Sequence, residues 1–219
     1  MITLGLDSCL DACSAAVLDG EAVRARMSHP MARGHQEAIA PLTQAVMAEA
    51  GLTFPDLDRV GVTIGPGSFT GLRVGLAFAK GLGAALAIPV VGVGTLAALA
   101  EPLVEDLVFA VIDARRGQVY LQAFAQGRSL MAADALPIEI AAARVAELSG
   151  GRQAVLVGSG GALLADLMPG VRLVPAPACD PAAVARLASA TSNPPSPRPL
   201  YLRAPDARLP GGAPGPDMA

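Results

Sequence analysis

Residues 65–82 read Gly65-Pro-Gly-Ser-Phe-Thr-Gly-Leu-Arg-Val-Gly-Leu-Ala-Phe-Ala-Lys-Gly-Leu82, and a run so rich in glycine and small residues limits what can surround it. The apolar stretch Val60-Gly-Val-Thr-Ile64 ahead of it reads as a buried strand, and Gly65-Pro66-Gly67 as the turn that ends it. Thr70 is the expected N-cap of a following helix. In that helix Gly71, Gly75, Ala79, Gly83 and Ala87 recur every fourth residue, and Arg73, Ala77, Gly81 and Ala85 form a second, mostly small row. An apolar row of Val74, Phe78, Leu82 and Leu86 lies between them. Each interior glycine costs roughly 1 kcal/mol of helix propensity against alanine, so the helix must draw its stability from close contact with something else. Either it is a central core helix, or it is partly exposed for docking to a second protein.

The 219 residues suffice for one large domain or two small lobes, and with 53% hydrophobic and 16% charged residues most of the chain should pack. Aromatics make up only 3%, with no Trp, which argues against a stacking platform for single strands. The net charge of -3 offers no basic face, so contact with RNA would have to be shared with a more basic partner. Cys9, Cys13 and Cys179 form no even framework and read as free thiols of a reducing cytoplasm. The first residues lack a basic n-region and carry Asp7 and Asp11 where a signal peptide would be apolar. Gly81 to Ala100 is uncharged, but Pro89 and its glycines divide it into helix end, strand and new helix, so it is expected to be buried core rather than a membrane span.

The chain opens with a strand, Ile2 to Leu6, that ends at Asp7-Ser8, followed by strands Cys13 to Leu18 and Ala22 to Ser28 joined at the hairpin signal Asp19-Gly20. A strand ending in a carboxylate and turning back as a hairpin is how the actin-like ATPase superfold opens. Ser8-Cys9-Leu10-Asp11 replaces the glycine turn expected there, so Asp7 reads as a relic carboxylate capping the turn in preference to a working metal ligand. A helix is expected over Gly34 to Ala50, kinked or delayed by Pro41, with Ile39, Leu42 and Val46 on one face. Next come a strand Val90 to Val93, a helix Thr95 to Leu103 and a strand Leu107 to Ile112 ending in Asp113-Ala-Arg-Arg-Gly117, paired with Val119 to Phe124. Asp113 and Arg115 are either a structural turn pair or face a ligand or partner.

The second half repeats the theme with a helix Ile138 to Leu148, a strand Ala154 to Val157, the turn Gly158-Ser-Gly-Gly161 and a helix Ala162 to Leu167. Amides at such a helix start suit a phosphate or an adenosine edge, and a tight strand-to-helix connection explains the glycines equally well. Pro181 to Ala190 is the last expected helix. Eight prolines among residues 192–219 signal an extended tail, in which Tyr201-Leu-Arg203 is expected to dock onto the body.

No catalytic constellation assembles. Lys80 is the only lysine and lies inside a helix, so no Walker-type phosphate loop exists. Neither Ser68 nor Ser159 stands in Gly-x-Ser-x-Gly, and Gly65-x-Gly67 followed by Gly71 misses the dinucleotide spacing. His29 and His35, the only histidines, are not spaced to share a helical metal site.

Asp7-Ser8, the Gly65 to Gly81 block, Asp113 to Tyr120 and Tyr201-Leu-Arg203 together resemble the bacterial TsaB (YeaZ) family, in order and over most of the chain. The resemblance implies an α/β, actin-like (ASKHA, RNase-H-like) fold of two lobes, divided here as 1–105 and 106–192 with a Pro-rich tail at 193–219. It implies a non-catalytic subunit for making threonylcarbamoyladenosine at the tRNA adenosine beside the anticodon. That subunit would bind a TsaD (Kae1-type) transferase and, with it, the TsaE ATPase, would form a homodimer when alone, and would meet tRNA only through the complex. No cofactor is expected to be held stably, ATP or ADP being expected only at the TsaD interface, and no metal. The expected docking set is His35, Ile39, Leu42, Gly71, Arg73, Val74, Gly75, Phe78, Ala79 and Leu82. Asp7, Ser8, Asp113, Arg115, Gly158 and Gly160 form the relic nucleotide-proximal set. The family's Asp-Thr becomes Asp7-Ser8 here, and the tail is longer and more irregular than a terminal helix. The competing readings are an ATP-using small-molecule kinase of the same superfold and a peptidase-related protein.

Overall fold

A computed structural model describes residues 1–168 and 170–203. In the first lobe β1 (Ile2–Asp7), β2 (Ala12–Asp19), β3 (Ala22–Pro30), β4 (Arg59–Thr63) and β5 (Val90–Val93) form a sheet in the order β3-β2-β1-β4-β5. The hairpin strands pair antiparallel, whereas β4 and β5 run parallel to β1. Helices α1 (His35–Glu49) and α2 (Phe69–Leu86) supply the crossovers, and a 3-10 turn spans Phe54–Asp56.

The second lobe repeats this order. β6 (Leu107–Arg115), β7 (Gln118–Ala125), β10 (Val155–Val157) and β11 (Arg172–Val174) occupy the places of β1, β2, β4 and β5, while the short β8 (Arg128–Ser129) and β9 (Asp134–Pro137) share the outer edge of β7. Its crossovers are α4 (Ile138–Ser149) and α5 (Gly161–Ala165).

Helices α3 (Thr95–Ala100) and α6 (Pro181–Ala190) cross between the lobes. α3 packs on β6 and β7 of the second sheet, α6 packs on β1, β2 and β4 of the first, and the two touch each other. The two sheets thus part between β5 and β6, while α3 and α6 each pack across that parting. Gly5 and Gly61 stand in register on β1 and β4, and side chains there would strike the α6 backbone and Ala188, so these glycines set how close α6 can lie. Arg59 donates to the carbonyls of Ala188 (2.6 Å) and Thr191 (2.7 Å), satisfying the C-terminal end of α6. The Arg186 guanidinium holds Glu101 through both carboxylate oxygens and ties α6 to the end of α3.

β1 and β4 are covered on both faces, which is why they read as continuous apolar runs. One core fills the space under α1 and α2, a second lies beneath α4 and α5, and a third joins the lobes through Val93, Leu96, Leu99, Ile112, Val157 and Val184. Among the described residues no helix is long and apolar enough to cross a membrane. The Gly81 to Ala100 run divides into the end of α2, β5 and α3 as expected, but it is only partly core, because Gly81, Ala84, Ala85 and Ala87 are exposed.

Candidate functional site

The C-terminal ends of β1 and β4 face those of β6 and β10 across a cleft of about 820 Å³ between the lobes. Behind the first-lobe wall Asp7 is fully buried, and its Oδ1 accepts from the Cys9 amide (3.0 Å) and the Thr63 hydroxyl (2.7 Å). Asp7 therefore caps its own turn. Among the described residues its Oδ2 has no hydrogen-bond partner. Burial pushes the Asp7 carboxyl above its ordinary value, against the Thr63 and Cys9 hydrogen bonds, the Cys179 backbone and the charge of His35. The same burial pushes the neighbouring Cys9 thiol up to about 12, so this thiol is inert while the turn stays closed.

The glycine block wraps this turn. Ser8 donates to the Gly71 carbonyl (2.8 Å), and the Ser68 amide donates to the Cys9 carbonyl (2.7 Å). A Cβ on Gly71 would overlap the Ser8 carbonyl, one on Gly67 the Cys9 carbonyl, and one on Gly75 the Ser8 hydroxyl. Ser68, not Thr70, is the N-cap of α2, accepting from the Gly71 amide (3.2 Å), because the helix starts two residues earlier than that, where it closes on Ser8.

The second-lobe wall is built differently. Asp113 sits at the matching strand end with a quarter of its side chain exposed, accepts from the Arg115 amide (2.7 Å) and pairs with the Arg115 guanidinium (3.1 Å). It is a turn pair at the rim of the cleft. Arg115, Arg116 and Gly117 all take positive φ, and Gly117 is the only glycine among them. The Gly158-to-Gly161 turn lies against β6. Gly160 donates to the Val111 carbonyl (3.0 Å), and a Cβ on Gly158 would overlap that same oxygen. These glycines make a tight strand-to-helix connection in which the Gly160 amide is taken by Val111.

The docking set needs correction. Gly71, Gly75 and Ala79 face Ser8 and β4 and are buried, so this row is core: its smallness serves contacts inside the chain. His35, Ile39 and Leu42 are buried on the inner face of α1, with His35 Nε2 unpartnered among the described residues. Val74, Phe78 and Leu82 are half-buried against the first core. Arg73 alone of the set is exposed. It stacks 3.6 Å from the Phe69 ring centroid and donates from Nε to the Tyr201 hydroxyl (3.0 Å). The outward face of α2 is instead the second row, with Ala77, Gly81 and Ala85, joined by Ala84; on α1 it includes Ala40, Ala45 and Ala48. The four-residue spacing was visible beforehand. Leu72 and Leu76, buried beside Gly71 and Gly75, are the signal that assigns the first row to the core.

Pro41 lies inside α1 on its exposed side, so the helix runs its full expected length. Tyr201-Leu-Arg203 docks as expected, and the rest of the tail lies outside the described residues. Among the described residues no group of three or more His, Cys, Asp or Glu is placed to hold a metal ion.

Two like-ordered lobes around a cleft, with helices crossing between them, define the actin-like, RNase-H-like class. Component A of (R)-2-hydroxyglutaryl-CoA dehydratase from Acidaminococcus fermentans shares that fold, with a TM-score of 0.53 at 12% identity over 86% of this chain and 96% of its own. The crystal structure of YeaZ from Pseudomonas aeruginosa superposes with a TM-score of 0.79 at 28% identity, over 92% of this chain and 99% of its own. The family model for TsaD, tRNA N6-adenosine threonylcarbamoyltransferase, matches residues 29–162. The tRNA threonylcarbamoyladenosine biosynthesis protein TsaB of Escherichia coli is 35% identical over 124 residues, 55% of this chain and 53% of that protein. The chain spans about half the length of the curated relatives it matches. It belongs to the family that this model describes and, within it, to the TsaB (YeaZ) branch.

Proposed function

We propose that this chain is a non-catalytic scaffold subunit in the synthesis of threonylcarbamoyladenosine on tRNA. It docks to a TsaD (Kae1-type) transferase through the outward rows of α1 and α2, and the TsaE ATPase joins that pair. It pairs with itself when the transferase is absent, meets tRNA only through the complex, and works in the cytoplasm. It holds no cofactor stably; ATP or ADP is taken at the shared interface.

The observation that carries this reading is the sealed turn of the first lobe. Gly67 and Gly71 bring the start of α2 down onto the Cys9 and Ser8 carbonyls, so the chain itself fills the place where this architecture would turn around a phosphate. Gly81 adds to it: it is exposed inside α2, a side chain there would meet nothing among the described residues, and its φ does not call for glycine. An exposed helical glycine without an intramolecular reason fits a face kept low for another backbone to approach.

The test mixes this chain with a TsaD homologue, follows association by size exclusion, and then measures threonylcarbamoyl transfer to tRNA with and without the chain. Association and chain-dependent transfer are expected, and Ala77→Arg should abolish both while leaving the fold intact. Vigorous ATP turnover by the isolated chain, or a transferase indifferent to its presence, would overturn the proposal.

A further inference from the structure

We propose that residues 197–203 are a strap that locks the two lobes at one separation, turning a hinged architecture into a rigid one. The covalent chain crosses between the lobes through α3 and the segment around Cys179, and these crossings lie side by side. The Cys179 thiol sits 3.6 Å from the Thr95 carbonyl, and the Glu101–Arg186 pair joins the adjoining helices. Two adjacent crossings leave rotation about their line free. A third attachment away from that line removes it.

The strap supplies the third attachment. Pro197 is buried against Gly92 at the end of β5, and the Leu200 amide donates to the Ile64 carbonyl (2.8 Å), continuing the edge of the first lobe. Tyr201 then packs on Phe69, with ring centroids 5.5 Å apart, and receives the Arg73 hydrogen bond at the start of α2. Two residues later the Arg203 guanidinium donates to the Ala114 carbonyl (2.9 Å) at the end of β6, in the second lobe. Leu200 to Arg203 thus line the cleft while holding both of its walls. The prolines at 194, 195, 197 and 199 keep the approach extended, so the segment reaches across without folding on itself. The consequence is specific: opening the cleft requires releasing the Ala114 or the Ile64 anchor. This inference concerns the isolated chain and stands or falls independently of its partner.

Cys9 reports on it, because this buried residue lines the cleft whereas Cys13 and Cys179 do not. The folded chain is treated with a small methanethiosulfonate reagent, and modification at each cysteine is followed by peptide mass spectrometry. The double variant Tyr201→Ala/Arg203→Ala should speed modification of Cys9 about tenfold while leaving the other two thiols unchanged. Leu200→Pro, which removes the amide donated to Ile64, should do the same from the first-lobe end. Unchanged Cys9 kinetics overturn the proposal, and equal acceleration of all three thiols overturns it too, since that is general loosening. In the unmodified chain the Leu200 amide should exchange its hydrogen slowly; rapid exchange there would sink the proposal without any variant.

Discussion

The two lobes answer the same topological problem with opposite chemistry at equivalent strand ends. Asp7 closes β1 in complete burial, capped by Cys9 and Thr63 and roofed by an 18-residue helix whose glycines touch Ser8. Asp113 lies near the end of β6 at the rim of the cleft, held by the exposed Arg115, and the matching helix α5 has only 5 residues. A carboxylate roofed by packed backbone is part of the core, whereas one paired at a rim contributes little to stability. The first-lobe turn has become a structural keystone, and the second has remained surface.

The most severe way to break that contrast is to lift the roof. Gly71→Leu would drive a side chain into the Ser8 carbonyl, a backbone group that cannot swing aside. A loss of about 4 kcal/mol or more is expected, read as failure to fold or as a collapsed urea midpoint. A folded Gly71→Leu protein that merely lost its partner would return this row to the surface and refute the keystone.

Next in size is truncation of the carboxylates. Asp7→Ala strands the Cys9 amide and the Thr63 hydroxyl without an acceptor in the interior, at an expected cost of about 2–3 kcal/mol. Asp113→Ala should stay within about 0.5–1 kcal/mol in the same urea titration. Asp7→Asn keeps an acceptor oxygen and separates charge from shape. Because folding raises the Asp7 pKa above its ordinary 3.8, the stability this group contributes is full below that value and is lost as pH rises through the folded value. Asp7→Asn should therefore gain on the parent chain as pH climbs from the acid side toward neutrality. A gap that narrowed with rising pH would mean that His35 and the hydrogen bonds outweigh burial.

Much of this contrast was written in the chain, though unevenly. Both aspartates announced themselves at strand ends, and the Asp19-Gly20 hairpin, α1, α4 and α6 follow from local signals that act within a few residues. What a local signal cannot carry is which sheet a helix covers. Gly5 and Gly61 looked like ordinary strand glycines until α6, more than a hundred residues away, was found lying on them. The small rows of α2 could not be told apart for the same reason: Gly75 and Gly81 are both glycines in one helix. Only Ser8, brought close by the pairing of β1 with β4, makes one of them core.

The smallest expected effect is the sharpest test of that distinction. Gly81→Ala adds a methyl group in open space on a helix whose backbone already has ordinary φ there, so it should stabilise the isolated chain by about 0.5–1 kcal/mol through helix propensity alone. Nothing among the described residues opposes the change, so a penalty on association is read as coming from the partner. If Gly81→Ala raises the urea midpoint while Gly81→Leu leaves it raised but weakens association with a transferase homologue, the glycine is retained for the partner's approach. If both variants are more stable and associate as tightly as the parent, the outer row of α2 plays no part in docking, and the interface has to be sought on α1.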